Sequence, residues 1–115
     1  MIYVLFEVFV KKAYQEKYLE LAAGIREELQ SSEGFIRSER FSSLSEERKI
    51  LSLSVWESEE AVSRWRQQAE HRLAQRQGRD LMFDEYRITV TGKIRSYTMT
   101  DREEAPEDSR KEFGS

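Results

Sequence analysis

The chain has no cysteine, one proline and one histidine among its 115 residues. Without cysteine there is no disulfide framework, no thiolate nucleophile and no thiolate-held metal. A lone histidine cannot build the usual nitrogen–sulfur zinc site, and the carboxylates show no ligand spacing, so no metal is expected. The longest apolar run, Ile2 to Phe6, is far too short to cross a bilayer. It has no basic leader and no small-residue cleavage site, so neither a signal peptide nor a membrane partner is expected. There is no Gly-rich phosphate loop and no serine in a nucleophile-elbow context, which leaves nucleotide binding and acyl transfer without support. The expected setting is intracellular, in the cytoplasm.

What is present is the composition of a folded domain, 38% hydrophobic and 36% charged. The length suits one core with little to spare. Asp101, Glu103, Glu104, Glu107, Asp108 and Glu112 face only Arg102, Arg110 and Lys111 in the last stretch, which accounts for the whole net charge of −3. Residues 1–99 are expected to form the domain, and 100–115, which hold Pro106, a charged and unordered tail.

Ile2 to Val10 is apolar on both alternating faces except at Glu7, the pattern of a central strand covered on both sides. From Tyr14 the period changes: Tyr14, Tyr18, Leu21, Ala22, Ile25 and Leu29 recur at three and four, an amphipathic helix of about four turns. After Gly34, Phe35 to Ser42 reads as a more polar strand, and Leu44 to Arg48 as a hairpin loop. Lys49 to Trp56 is a third strand. Ser58 is a helix N-cap candidate, and Glu59 and Glu60 place negative charge at the positive end of the helix dipole. The helix is expected to run to Gln77, with Gly78 as its stop. Tyr86 to Met99 is a fourth strand.

Strand, helix, strand, strand, helix, strand is the α+β ferredoxin-like βαββαβ order, a four-stranded antiparallel sheet with both helices on one face. The other face needs cover, and the apolar first strand points to a second copy, most simply a twofold homodimer.

Trp65 and His71 arise from one helix. An indole donor beside the one side chain that titrates near neutrality could form a reactive pocket, and both could equally be structural. Trp65 lies on the stripe Val62, Trp65, Ala69, Leu73; His71 lies off it unless the helix breaks near Gln67–Glu70. Glu7 either points into a pocket or pairs with a strand arginine such as Arg95. Tyr3, Tyr14, Tyr18, Phe41 and Phe83 either line an aromatic-binding cavity or fill the core. Arg64, Arg66, Arg72, Arg76 and Arg79 make the second helix basic, but the neutral domain and the lack of an aromatic–basic motif argue against nucleic acid.

Val55–Trp56–Glu57–Ser58–Glu59–Glu60–Ala61, Trp65, the run Glu70 to Gln75, Gly78–Arg79, Phe83 and Tyr86–Arg87–Ile88 resemble the antibiotic biosynthesis monooxygenase domain family. Glu33–Gly34–Phe35 resembles that family's entry to its second strand. The resemblance spans roughly 1–97 and implies a dimeric α+β barrel. It further implies a cofactor-independent monooxygenase in which a small electron-rich aromatic, phenol or hydroquinone, supplies the electrons to dioxygen and becomes a quinone. In that reading Trp65 and His71 are catalytic. Glu7, Phe41, Phe83 and Arg87 then bind substrate, with Arg87 offsetting charge on an oxidised intermediate. The alternative is a non-catalytic dimeric ligand-binding or stress-associated module of the same fold. Haem-degrading relatives carry a first-strand asparagine and a histidine ten residues beyond the tryptophan. This chain has Glu7 and Gln75 at those places, so haem degradation is not expected.

Overall fold

The computed structural model describes residues 1–75 and 81–113. β1 (Ile2–Val10) leads through a 3-10 turn at Lys12–Tyr14 into α1 (Gln15–Gln30). β2 (Phe35–Ser42) and β3 (Lys49–Trp56) form a hairpin, followed by α2 (Glu59–Gln75), β4 (Phe83–Gly92) and a short α3 (Glu107–Phe113). The sheet order is β2-β3-β1-β4 with every pair antiparallel, the expected ferredoxin-like α+β arrangement.

Register decides what shares a face. On one side run the rows Arg40–Ser52–Phe6–Ile88 and Ser38–Ser54–Val4–Val90. The helices pack here. One cluster joins Val4, Leu29, Trp56, Ala61 and Val62; a second joins Val8, Val10, Tyr18, Met82 and Phe83. On the opposite side run Phe41–Leu51–Glu7–Arg87 and Glu39–Leu53–Leu5–Thr89. The doubly apolar pattern of β1 is thus explained, one set of side chains under the helices and the other on the second face.

Local chemistry sets the start of α2. The Ser58 hydroxyl accepts from the Ala61 N–H at 3.2 Å, the expected cap. Gly34 takes a positive φ of 82°, and its carbonyl accepts from the Glu57 N–H at 2.8 Å. A Cβ on Gly34 would stand 2.6 Å from the Ala61 Cβ, so only glycine lets β2 and α2 begin this close together. α2 runs without a break through Gln67–Glu70. The expected stop at Gly78, like Arg76 and Arg79, lies outside the described residues.

Two expectations differ. β4 runs Phe83–Gly92, not Tyr86–Met99: its start pairs with Val10, and it ends where its ladder partner begins at Ile2, with the Lys93 N–H donating to the Met1 carbonyl. The segment expected to be an unordered tail is organised around a buried Arg102. Its guanidinium donates to the Thr98 carbonyl at 3.1 Å and to Ser109, and lies over the rings of Tyr97 and Phe113. Lys93 ties the segment back through Glu104 at 2.8 Å. Charge counting misses this because one arginine can use its stem, its donors and its π-face together.

Candidate functional site

Between the helices and the sheet lies a cavity of about 120 Å³. That is of the order of the ~150 Å³ apolar cavity that accommodates a benzene ring. α1 contributes Tyr18, Ala22, Ile25 and Leu29, one face at helical spacing. α2 contributes Trp65, Ala69 and Leu73 by the same logic. Val4, Phe6, Ser38, Arg40, Ser52, Ser54 and Ile88 come from the sheet. The room exists because β3 places serines where larger apolar side chains would otherwise meet the helices.

The Trp65 ring packs on Trp56 with centroids 5.5 Å apart and planes 37° apart. Trp56 is fully buried, donates its indole N–H to the Ser54 hydroxyl at 2.8 Å, and meets Phe35 edge-on. It is structural, and it sets the angle at which Trp65 faces the cavity. Tyr18 is 4% exposed, and burial raises its phenol pKa; a hydrogen bond with Ser52 and the positive charge of Arg40 pull the other way. A phenol is neutral at pH 7 in any case, and burial moves Tyr18 further from ionisation. Arg40 Nη1 is buried and has no hydrogen-bond partner.

The six residues singled out from the sequence fall in four places. Trp65 lines the cavity. Phe83 lies behind it, 5.6 Å from the Tyr18 ring and 6.2 Å from Phe6, supporting the wall rather than lining it. Glu7, Phe41 and Arg87 share a single row, but on the opposite face of the sheet. There Glu7 pairs with Lys49 at 3.3 Å, so the expected strand partner is Lys49 and not Arg95. His71 is exposed and borders a second, polar groove with Glu28, Ser32, Arg64 and Arg72, which Trp65 also lines, so the two meet there and not in the cavity. An unbroken α2 turns it away from the face that carries Trp65, Ala69 and Leu73. Of the expected aromatic lining, Tyr18 alone joins Trp65; Tyr14 packs against the second core cluster and Tyr3 shares the far face.

Arg40 and Ser52 were not legible as site residues. Their signal is parity: both sit on the inward register of adjacent strands, and only the pairing Arg40↔Ser52 reveals it. Among the described residues no group of three or more His, Asp or Glu converges as a metal site, and no helix is long and apolar enough to cross a membrane.

Residues 1–77 match the antibiotic biosynthesis monooxygenase family. The chain is 39% identical over 99 residues to a jasmonate monooxygenase ABM of Pyricularia oryzae, a match covering 84% of this chain and 46% of that protein. It therefore spans about half the length of the curated relative it matches. Among solved structures, a conserved protein from Methanosarcina mazei Go1 superposes with a TM-score of 0.71 at 19% identity, over 80% of this chain and 91% of that one. SnoaB, a cofactor-independent oxygenase from Streptomyces nogalater, does so with a TM-score of 0.69 at 13% identity, over 83% and 94%. These likenesses at low identity concern the fold, whereas the sequence match covers most of the domain. The chain belongs to the antibiotic biosynthesis monooxygenase family.

Proposed function

We propose that the chain is a cofactor-independent monooxygenase that oxidises a small electron-rich ring compound, phenol or hydroquinone to quinone, inside the cavity beside Trp65. The observation that carries this reading is a ring-sized, largely apolar space walled by an indole and bordered by the Tyr18 and Ser52 hydroxyls. The relatives support it: one curated relative is named a monooxygenase and one fold neighbour a cofactor-independent oxygenase. For a phenol, one dioxygen gives one quinone and one water, with all four electrons drawn from the ring; for a hydroquinone with a free ring position the same count gives the hydroxyquinone and one water. The chain's part is to hold the ring away from bulk water and to offer donors where oxyanion charge develops. Trp65 packs on the ring and Tyr18 donates. His71 and Glu7 stand outside the cavity and have no part in this step.

The reading includes a homodimer. The second sheet face carries Leu5, Leu51, Leu53 and a 42%-exposed Phe41, and α1 and α2 lie on the other side. A cytoplasmic setting belongs to the same proposal and rests on the cysteine-free sequence.

One observation favours the non-catalytic binding module instead: His71, the residue best suited as a general base, faces solvent. Oxygen uptake with a panel of phenols and hydroquinones decides between them. The oxygenase reading expects uptake above the protein-free rate, slowed about tenfold or more in Trp65→Phe with the melting temperature held. No uptake across the panel supports the binding module.

A further inference from the structure

We propose that the cavity is built for an apolar, ring-sized carboxylate, with the charged head seated on Arg40. The inference rests on the cavity being a substrate site and adds the class of molecule that occupies it.

Arg40 extends from β2 on the same face as Ser52 and Phe6 and lines the cavity. Its Nη1 is shut off from solvent and has no hydrogen-bond partner. Among the described residues no carboxylate lies within ion-pairing distance of it. Arg40 as a whole is partly buried, but this one N–H is closed to solvent, and a buried cationic N–H left unmade is costly. The neighbouring acids do not meet the need. Glu70, at the cavity edge, is engaged by Arg66 at 3.1 Å, and Glu39 belongs to the opposite register of β2. The unpaired donor is therefore open to a ligand.

The surroundings select the ligand. Arg40 and Ser52 are cross-strand partners and line the cavity together with Tyr18, so two hydroxyls and a guanidinium N–H border the same space. Ile25, Leu29 and Trp65 supply apolar wall. A planar carboxylate suits a guanidinium fork and can accept from hydroxyls at the same time. An ammonium head would meet repulsion, and a neutral ring would leave Arg40 unpaired. Arg26 and Arg66 also border the cavity, but Arg66 is engaged by Glu70 at 3.1 Å, and the unpartnered buried N–H belongs to Arg40.

The test is titration of the purified protein by tryptophan fluorescence, with benzoate and its neutral isostere benzamide as probes. Benzoate should bind at least about tenfold more tightly, the scale of one charge-assisted hydrogen bond in a buried site. Arg40→Gln should erase that preference and leave benzamide affinity within about twofold; Arg40→Lys should keep part of it. Equal binding of the two probes by the wild-type protein overturns the proposal, as does a preference that survives Arg40→Gln. If Arg40→Gln does not fold, as judged by its melt, the wild-type ratio and Arg40→Lys decide: a tenfold ratio partly kept by lysine supports it, a ratio near one overturns it. Oxygen uptake by the same protein preparations with the phenol and hydroquinone panel separates the two readings. Turnover without carboxylate preference sinks the Arg40 assignment alone, and carboxylate preference without turnover sinks the oxygenase alone.

Discussion

Trp56 and Trp65 touch at 5.5 Å between ring centroids, so the indole that walls the cavity rests on the indole most deeply buried in the core. One ring fixes the fold and the other borders the space where chemistry is proposed. Trp56→Ala should cost about 3–5 kcal/mol of stability, the range for deleting a buried aromatic. Chemical denaturation measures it; a loss below about 1 kcal/mol would show that the ring is replaceable by its neighbours.

Gly34 is the most tightly enclosed of the described glycines. Gly34→Ala combines a left-handed backbone, unfavourable by about 1–2 kcal/mol, with a Cβ pressed on Ala61, adding about 1–3 kcal/mol. A loss exceeding about 2 kcal/mol is expected in urea unfolding. A neutral substitution would mean that β2 and α2 can separate freely.

The clasp between Lys93 and Glu104 gives the terminal segment a pH window. The Lys93 hydrogen bond, foremost among its causes, lowers the Glu104 pKa, so its stabilising contribution is present above the unfolded carboxylate pKa and lost as pH falls through the depressed folded value. Lys93 is raised, chiefly by its hydrogen bond to Glu104, so its contribution is present below the unfolded lysine pKa and lost as pH rises through the raised folded one. Limited proteolysis should cut near residues 97–113 more readily below the acidic limit than at neutral pH. Arg102→Ala should bring the same exposure at neutral pH without moving the melt of the domain. Unchanged protection in both cases would contradict the clasp.

Sedimentation tests the second face. The wild-type chain should run as a dimer, and Leu53→Arg, placing charge beside Leu5 and Glu39, should yield monomer. A wild-type monomer at micromolar concentration would leave that face without its proposed cover.

Much of this was legible beforehand, and the reasons are local. The alternation of Ile2 to Val10, the Ser58 cap and the change of period at Tyr14 depend on near neighbours, and the structure has all three. Contacts distant in sequence were less legible. β4 stops at Gly92 because β1 starts at Ile2, which no feature of Tyr86–Met99 records. Arg102 looked like one charge among many until Tyr97, Ser109 and Phe113 closed around it. Glu7, Phe41 and Arg87, expected with Phe83 to bind substrate, share a row on the face opposite the cavity, while Phe83 stands behind the cavity wall. Arg40 was hidden for the same reason: its meaning depends on strand register.

Filling the cavity is the most direct test of the claim that substrate reacts there. Ala69 points into it from α2, and Ala69→Leu adds bulk beside Trp65 without removing any donor. The account predicts oxygen uptake reduced about tenfold or more with the best phenol of the panel, with stability held or raised by up to about 1 kcal/mol as empty space is filled. Wild-type turnover in an equally stable Ala69→Leu protein would contradict it and place the reaction elsewhere on the molecule.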